Sequence, residues 1–153
     1  AKPVPMRGTA LAMNEPLGNI GVLCDDARPL MGLIEPVAPA IALGNRVTAV
    51  ASAPYPLAAT DFYQVLETSD LPAGVVNILT GDHAELAPHM AAHAGLDAVW
   101  SFSSSDLSAE IEHASAATLK RTWVNNSRTR DWPTATWLAQ STEVKTIWIP
   151  YGE

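Results

Sequence analysis

The stretch DAVWSFSSSDLSAEIE, Asp97–Glu112, decides the fold. Its first part, Ala98–Phe102, is a largely apolar run. SSSDLS follows, and then Leu107, Ile111 and Ala114 fall on one helical face. That order is strand, tight turn, helix. In an open α/β sheet the free N–H groups of such a helix start are where a ligand phosphate is usually held. The turn normally carries glycines, because a bare backbone lets the phosphate come close. Ser103 and Ser108 stand in their place. The scaffold of a ligand site is present without its usual chemistry.

The same alternation extends on both sides. Ile20–Cys24, Val47–Val50, Val75–Leu79 and Arg121–Val124 read as further buried strands. Helices are expected over Pro29–Leu43, Leu57–Leu66 and Ala84–Ala94, and from SSSDLS to about Ala117. Pro29 suits a first turn. Pro36 and Pro39 predict a kink, and Pro88 should break or delay its helix. Gly44-Asn45 is a helix stop. Continuous apolar strands between helices specify a five-stranded parallel sheet covered on both faces, a Rossmann-like α/β fold. Asn125–Pro133 reads as a polar loop, and Thr134–Gln140 is too short to assign.

Two strands are left over, Thr9–Met13 and Thr142–Ile149. They are expected to pair as a small antiparallel arm outside the main sheet. An exposed apolar edge needs a partner, so Thr9, Leu11, Met13, Val144, Thr146 and Trp148 are candidate interface residues. The expected division is an arm strand and lead-in over 1–19, the Rossmann-like unit over 20–126, and a loop with the second arm strand over 127–153.

A length of 153 residues suits one domain with a real core. A net charge of −7 with scattered basic residues argues against a nucleic-acid partner. No apolar run has the length of a membrane span, and AKPVPMRG has no signal-peptide core. The single cysteine, Cys24, allows no internal disulfide and fits a reducing cytoplasm. The first residue is not Met, which favours a piece of a longer protein.

The candidate reactive groups weigh toward structure. Cys24 ends an apolar strand with no adjacent base, and reads as a buried thiol. His89 and His93 share a helical spacing that can chelate a metal, but MAA lies between them, so the Glu of HExxH is missing. With His83 and Glu85 on another turn, a solvated face is favoured and no metal is expected. Asp25-Asp26 reads as a helix N-cap and its neighbour. Ser103, Ser104 and Ser105 could hold an anion, but Asp106 brings a negative charge, so a hydroxyl cap is favoured. Trp100, Trp123, Trp132, Trp137 and Trp148 are concentrated late. They are either interface anchors or plugs within the module.

The segments PLGNIGVLCDDARPL, VAPAIALGN, LPAGVVNILTGD and STEVKTIWI together resemble the aldehyde dehydrogenase superfamily. The likeness runs through nearly the whole chain up to Val124. WSFSSS and the ending VKTIWIPYGE are closer still to the shortened C-terminal module of the tandem two-domain aldehyde dehydrogenases known as family sixteen. The resemblance places Ala27 at the oxyanion-hole Asn, and an alanine side chain has no N–H to donate. It places Val50 and Ala53 at the ribose-binding Lys and Glu, and Ser103 and Ser108 at the glycines of the phosphate turn. Asn125 falls at the general-base Glu and cannot take a proton. The catalytic domain with its nucleophilic Cys is missing between Val124 and Ser141.

The resemblance therefore implies a non-catalytic module with no cofactor of its own and no catalytic residue. Its parent would oxidise aldehydes to acids with NAD. The implied partners are the catalytic domain of the same chain and a second copy in a homodimer. The alternatives are a regulatory domain that senses NAD or another nucleotide at Ser103–Ser108, and a fragment of an active NAD(P)-dependent enzyme.

Overall fold

The computed structural model describes residues 2–3, 8–124 and 131–150. Five parallel strands form the central sheet: β3 (Asn19–Leu23), β4 (Arg46–Val50), β5 (Val76–Leu79), β6 (Ala98–Ser101) and β7 (Arg121–Val124). Their order across the sheet is β5-β4-β3-β6-β7. The chain thus builds outward from β3 to one edge and then returns to β3's other side. Ile20 registers with Val47 on one neighbour and Ala98 on the other.

Side chains alternate along each strand, so each strand feeds two cores. Ile20, Val22, Val47, Ala49, Ala98 and Trp100 point to one face. That face is covered by α1 (Met31–Ala42), α2 (Leu57–Glu67) and α5 (Thr134–Gln140). Leu23, Val50 and Val99 point the other way, under α3 (His83–Ala92) and α4 (Ser108–Ala116). Each large aliphatic side chain fully buried there contributes roughly 1.5–3 kcal/mol. The expected parallel sheet with helices on both faces is the fold observed.

The helix ends depart from expectation in instructive ways. α1 runs on through Pro36 and Pro39. Its first turn opens earlier, with the Gly32 N–H donating to the Arg28 carbonyl, 2.6 Å. α3 is neither broken nor delayed by Pro88. It begins at His83 because Asp82 caps it, accepting from the N–H groups of Ala84 (2.7 Å) and Glu85 (3.4 Å). Asp25 and Asp26 do not cap α1, contrary to the sequence reading. Asp25 Oδ1 accepts from the Ala27 N–H (3.0 Å), and Asp26 Oδ1 from the Ala53 N–H (2.9 Å). The residue before α1 is Leu30, which has no side-chain acceptor.

Gly32 shows how closely α1 sits on this loop. A Cβ there would lie 2.8 Å from Asp25 Cβ and 3.0 Å from its backbone N. Neither atom can swing away. Gly32→Ala is therefore expected to destabilise by about 1–3 kcal/mol, read as a lower denaturation midpoint. An unchanged midpoint would show that the loop yields freely.

The two left-over strands do form a separate sheet. β1 (Lys2–Pro3), β2 (Gly8–Pro16) and β8 (Thr142–Pro150) pair antiparallel in the order β1-β2-β8. Both long strands run nine residues, from Gly8↔Pro150 to Pro16↔Thr142.

One side chain ties the arm to the sheet. Asn45 is buried beyond α1, with Oδ1 accepting from the Gly18 N–H (2.9 Å). Its Nδ2 donates to the carbonyls of Ala40 and Ser141, both at 2.9 Å. One amide thus holds the end of α1, the turn out of β2 and the turn into β8.

The segment Thr134–Gln140, unassigned from sequence, is α5. Its Trp137 is buried against Trp100, Phe102, Trp123 and Trp132, with ring centroids 4.9–6.3 Å apart. Four of the five tryptophans therefore plug the module itself. Only Trp148, on β8, is half exposed to solvent at 52%.

Candidate functional site at the strand ends

In an open α/β sheet, ligands bind outside the carboxyl ends of the strands, where the strand order reverses. Here that place lies between β3 and β6. Asp25-Asp26 follow β3, Ala51–Ala53 follow β4, and Ser103 follows β6.

His83 sits across this crevice. It is the first residue of α3 and is buried, 4% exposed. Its Nε2 lies 2.7 Å from the Ala51 carbonyl oxygen, and its Nδ1 2.7 Å from Ser103 Oγ. The carbonyl can only accept, so Nε2 carries the proton and donates. Nδ1 then accepts from the Ser103 hydroxyl. Asp26 Oδ1 stands 4.0 Å from the same Nδ1. The imidazole thus bridges the ends of β4 and β6, with β3 between them. A side chain of this protein occupies the space over the strand ends.

Of the residues singled out by resemblance, Ser103 is the one bonded to His83. Val50 is fully buried in the core under α3 and α4. Ala53 is exposed, and its N–H is taken by Asp26. Ala27 is exposed, and its N–H is taken by Asp25. Ser103 is bound to His83, whereas Ser108 is buried at the start of α4 with no partner for its hydroxyl. Ser104 caps the short 3₁₀ turn Ser105–Leu107, accepting from the Asp106 N–H at 3.2 Å, as the hydroxyl-cap reading expected. Asn125 lies outside the described residues.

Elsewhere, Cys24 is a buried thiol at the end of β3. His89 and His93 are exposed on and just after α3. Among the described residues no helix is long and apolar enough to cross a membrane.

Sequence reasoning missed His83 and the bridging role of Asp26. One signal was available. Thr80-Gly81-Asp82 has the composition of a turn, and an Asp before a helix is a cap. That places His83 at the helix start, on the crevice side of the sheet.

The fold, with its five-stranded parallel sheet and three-stranded antiparallel arm, has a clear relationship. The aldehyde dehydrogenase family matches residues 2–127. The chain belongs to the aldehyde dehydrogenase family. It is similar to the aldehyde dehydrogenase of Bartonella henselae, with 27% identity and a TM-score of 0.72 over 76% of this chain and 24% of that one. Aldehyde dehydrogenase C of Pseudomonas syringae, solved with NAD+ and octanal, is 31% identical with a TM-score of 0.72, over 79% of this chain and 26% of that one. An indole-3-acetaldehyde dehydrogenase is 27% identical with a TM-score of 0.73, over 80% and 28%. The chain spans about a quarter of the length of these aldehyde dehydrogenases.

Proposed function

We propose that this chain is an aldehyde dehydrogenase module that is non-catalytic in aldehyde oxidation, the C-terminal part of a tandem enzyme of the family-sixteen type. The observation that carries the proposal is His83 spanning the crevice at the strand ends, hydrogen bonded on both ring nitrogens. In addition, Ala27, Val50, Ala53, Ser103 and Ser108 replace residues that the resemblance assigns to cofactor and transition-state contacts. No nucleotide is bound here under this reading. NAD and the aldehyde are handled by a catalytic domain in the same chain.

The module's work is structural and lies in the arm. β2 and β8 expose apolar side chains on both sides: Met13, Val144, Trp148 and Ile149 are each about half or more exposed. The register separates the candidate interface residues into two sets. Thr9, Leu11 and Met13 share a face with Ile149, Ile147 and Lys145, whereas Val144, Thr146 and Trp148 share the other with Asn14, Ala12 and Ala10. A narrow antiparallel ribbon is marginal alone and gains stability when packed. The arm thus has one face for the catalytic domain and one for a second copy in a homodimer.

The test is Val144→Asp combined with Trp148→Asp in the tandem parent. Both side chains are exposed in this chain, so the module itself should stay folded. Sedimentation should show loss of the dimer, and NADH production should fall. Unchanged assembly and unchanged activity would overturn the structural role.

A further inference from the structure

We propose that Ser103 and His83 form a serine–histidine dyad able to accept an acyl group from short acyl esters. A nucleophilic serine needs a base within hydrogen-bond reach and something that orients that base. Both are present. Ser103 Oγ is 2.7 Å from His83 Nδ1, and the Ala51 carbonyl 2.7 Å from Nε2 fixes the tautomer that leaves Nδ1 free to accept the proton. Asp26 Oδ1, 4.0 Å from Nδ1, stabilises the imidazolium that forms. Here a backbone carbonyl orients the base, and the carboxylate acts only through its charge.

The backbone setting matches the requirement too. Ser103 lies between strand β6 and the helical turns that lead into α4, at the carboxyl end of a parallel sheet. A serine nucleophile on a strand-to-helix turn is flanked at two residues on either side by small residues, as in G-x-S-x-G, and uses the next amide N–H as an oxyanion donor. The corresponding run is Ser101-Phe102-Ser103-Ser104-Ser105, with serine at both flanking positions. The amides of Ser104 and Ser105 make no backbone hydrogen bond among the described residues. Ser103 is half-buried and Ser104 exposed, so an ester carbonyl can reach the hydroxyl from solvent.

In the step, Ser103 Oγ bonds to the ester carbonyl carbon while its proton passes to His83 Nδ1. The carbon–oxygen bond to the leaving alcohol breaks, and Nδ1 returns the proton to that alkoxide. Water, deprotonated by the same nitrogen, then releases the acid and restores Ser103. No cofactor takes part.

The protein is treated with an alkyl fluorophosphonate and with p-nitrophenyl acetate. The expected result is one phosphonyl adduct per chain, mapped by mass spectrometry to Ser103, and a measurable release of nitrophenol. Ser103→Ala should abolish both. His83→Gln retains a donor for Ala51 but supplies no base, and should slow labelling at least about 100-fold. Asp26→Asn preserves the acceptor for Ala53 and should slow labelling several-fold, which tests the charge if His83→Gln does not fold. No adduct at Ser103, an adduct on another serine instead, or labelling of both variants at the unaltered rate would overturn the dyad.

Discussion

Trp137→Ala is expected to destabilise the protein by about 3–5 kcal/mol, which for a domain of this size lowers Tm by roughly 10 °C. Trp137 is 5% exposed and, like Trp123, meets all four other rings of the cluster, in its case Trp100, Phe102, Trp123 and Trp132. Its neighbours come from β6, from β7 and from the segment before α5, so truncation opens a cavity that no single element can collapse to fill. Edge-to-face geometry adds to the burial: the Phe102 and Trp132 rings stand 73° and 84° from the indole. Such pairs are worth about 0.5–1.5 kcal/mol beyond their area. Trp148→Ala is the control, because that ring is 52% exposed on β8 and should shift Tm by only a degree or two. A melt in which both variants behave alike would contradict the plug and return Trp137 to the role of a mere surface anchor.

Asn45→Leu should cost about 3 kcal/mol, although leucine matches the volume. The substitution leaves the Gly18 N–H without its acceptor and removes one donor each from the Ala40 and Ser141 carbonyls, which keep the backbone N–H groups of residue 45 and Leu17. Each group left unsatisfied costs roughly 1–3 kcal/mol, with water able to relieve part of it. The loss should be read in denaturant titration together with proteolysis near residues 16–18 and 141–142, since Asn45 holds both roots of the arm. A drop in stability with unaltered cleavage at those roots would show that Asn45 matters to α1 alone.

These two residues also show what could be read from the sequence. The parallel sheet was legible because continuous apolar runs of Ile, Val and Ala alternate with helical periods, and the observed strands lie within a residue of those runs. Leu107 and Ile111 marked the face of the fourth helix, and Ile111 is fully buried. The arm was legible by elimination, since two strands at the ends of the chain had no place in a βα series. Asn45 was legible only as a helix stop. Its bond to Ser141 spans 96 positions, and no local pattern encodes a partner so distant. α5 was illegible because seven residues are barely two helical turns and give no period to count. Its position is fixed by tertiary packing of one indole.

The candidate site divides in the same way. Ser103 and Ser108 stood out because a strand–turn–helix makes a specific demand on those positions. His83 did not, because its partners Ala51 and Ser103 lie 32 and 20 residues away. A histidine after a turn has no signature of burial. The pair His89 and His93 drew attention through spacing alone, yet both are exposed, while the histidine with no partner in sequence is the one that organises the crevice. Prolines misled in one place. Pro88 suggested a broken helix, but the Asp82 cap supplies the first-turn acceptors that stabilise α3 ahead of it.

The central claim is that the nucleotide crevice of this aldehyde dehydrogenase module is closed by its own side chains. Isothermal calorimetry with NAD tests it most directly. With His83 spanning the strand ends and no side-chain donors at Val50 and Ala53, no saturable heat and no thermal shift are expected up to about 1 mM NAD, which corresponds to less than roughly 4 kcal/mol of binding. A saturable isotherm with a Kd well below that concentration, accompanied by a rise in Tm, would contradict the claim and favour a nucleotide-sensing domain.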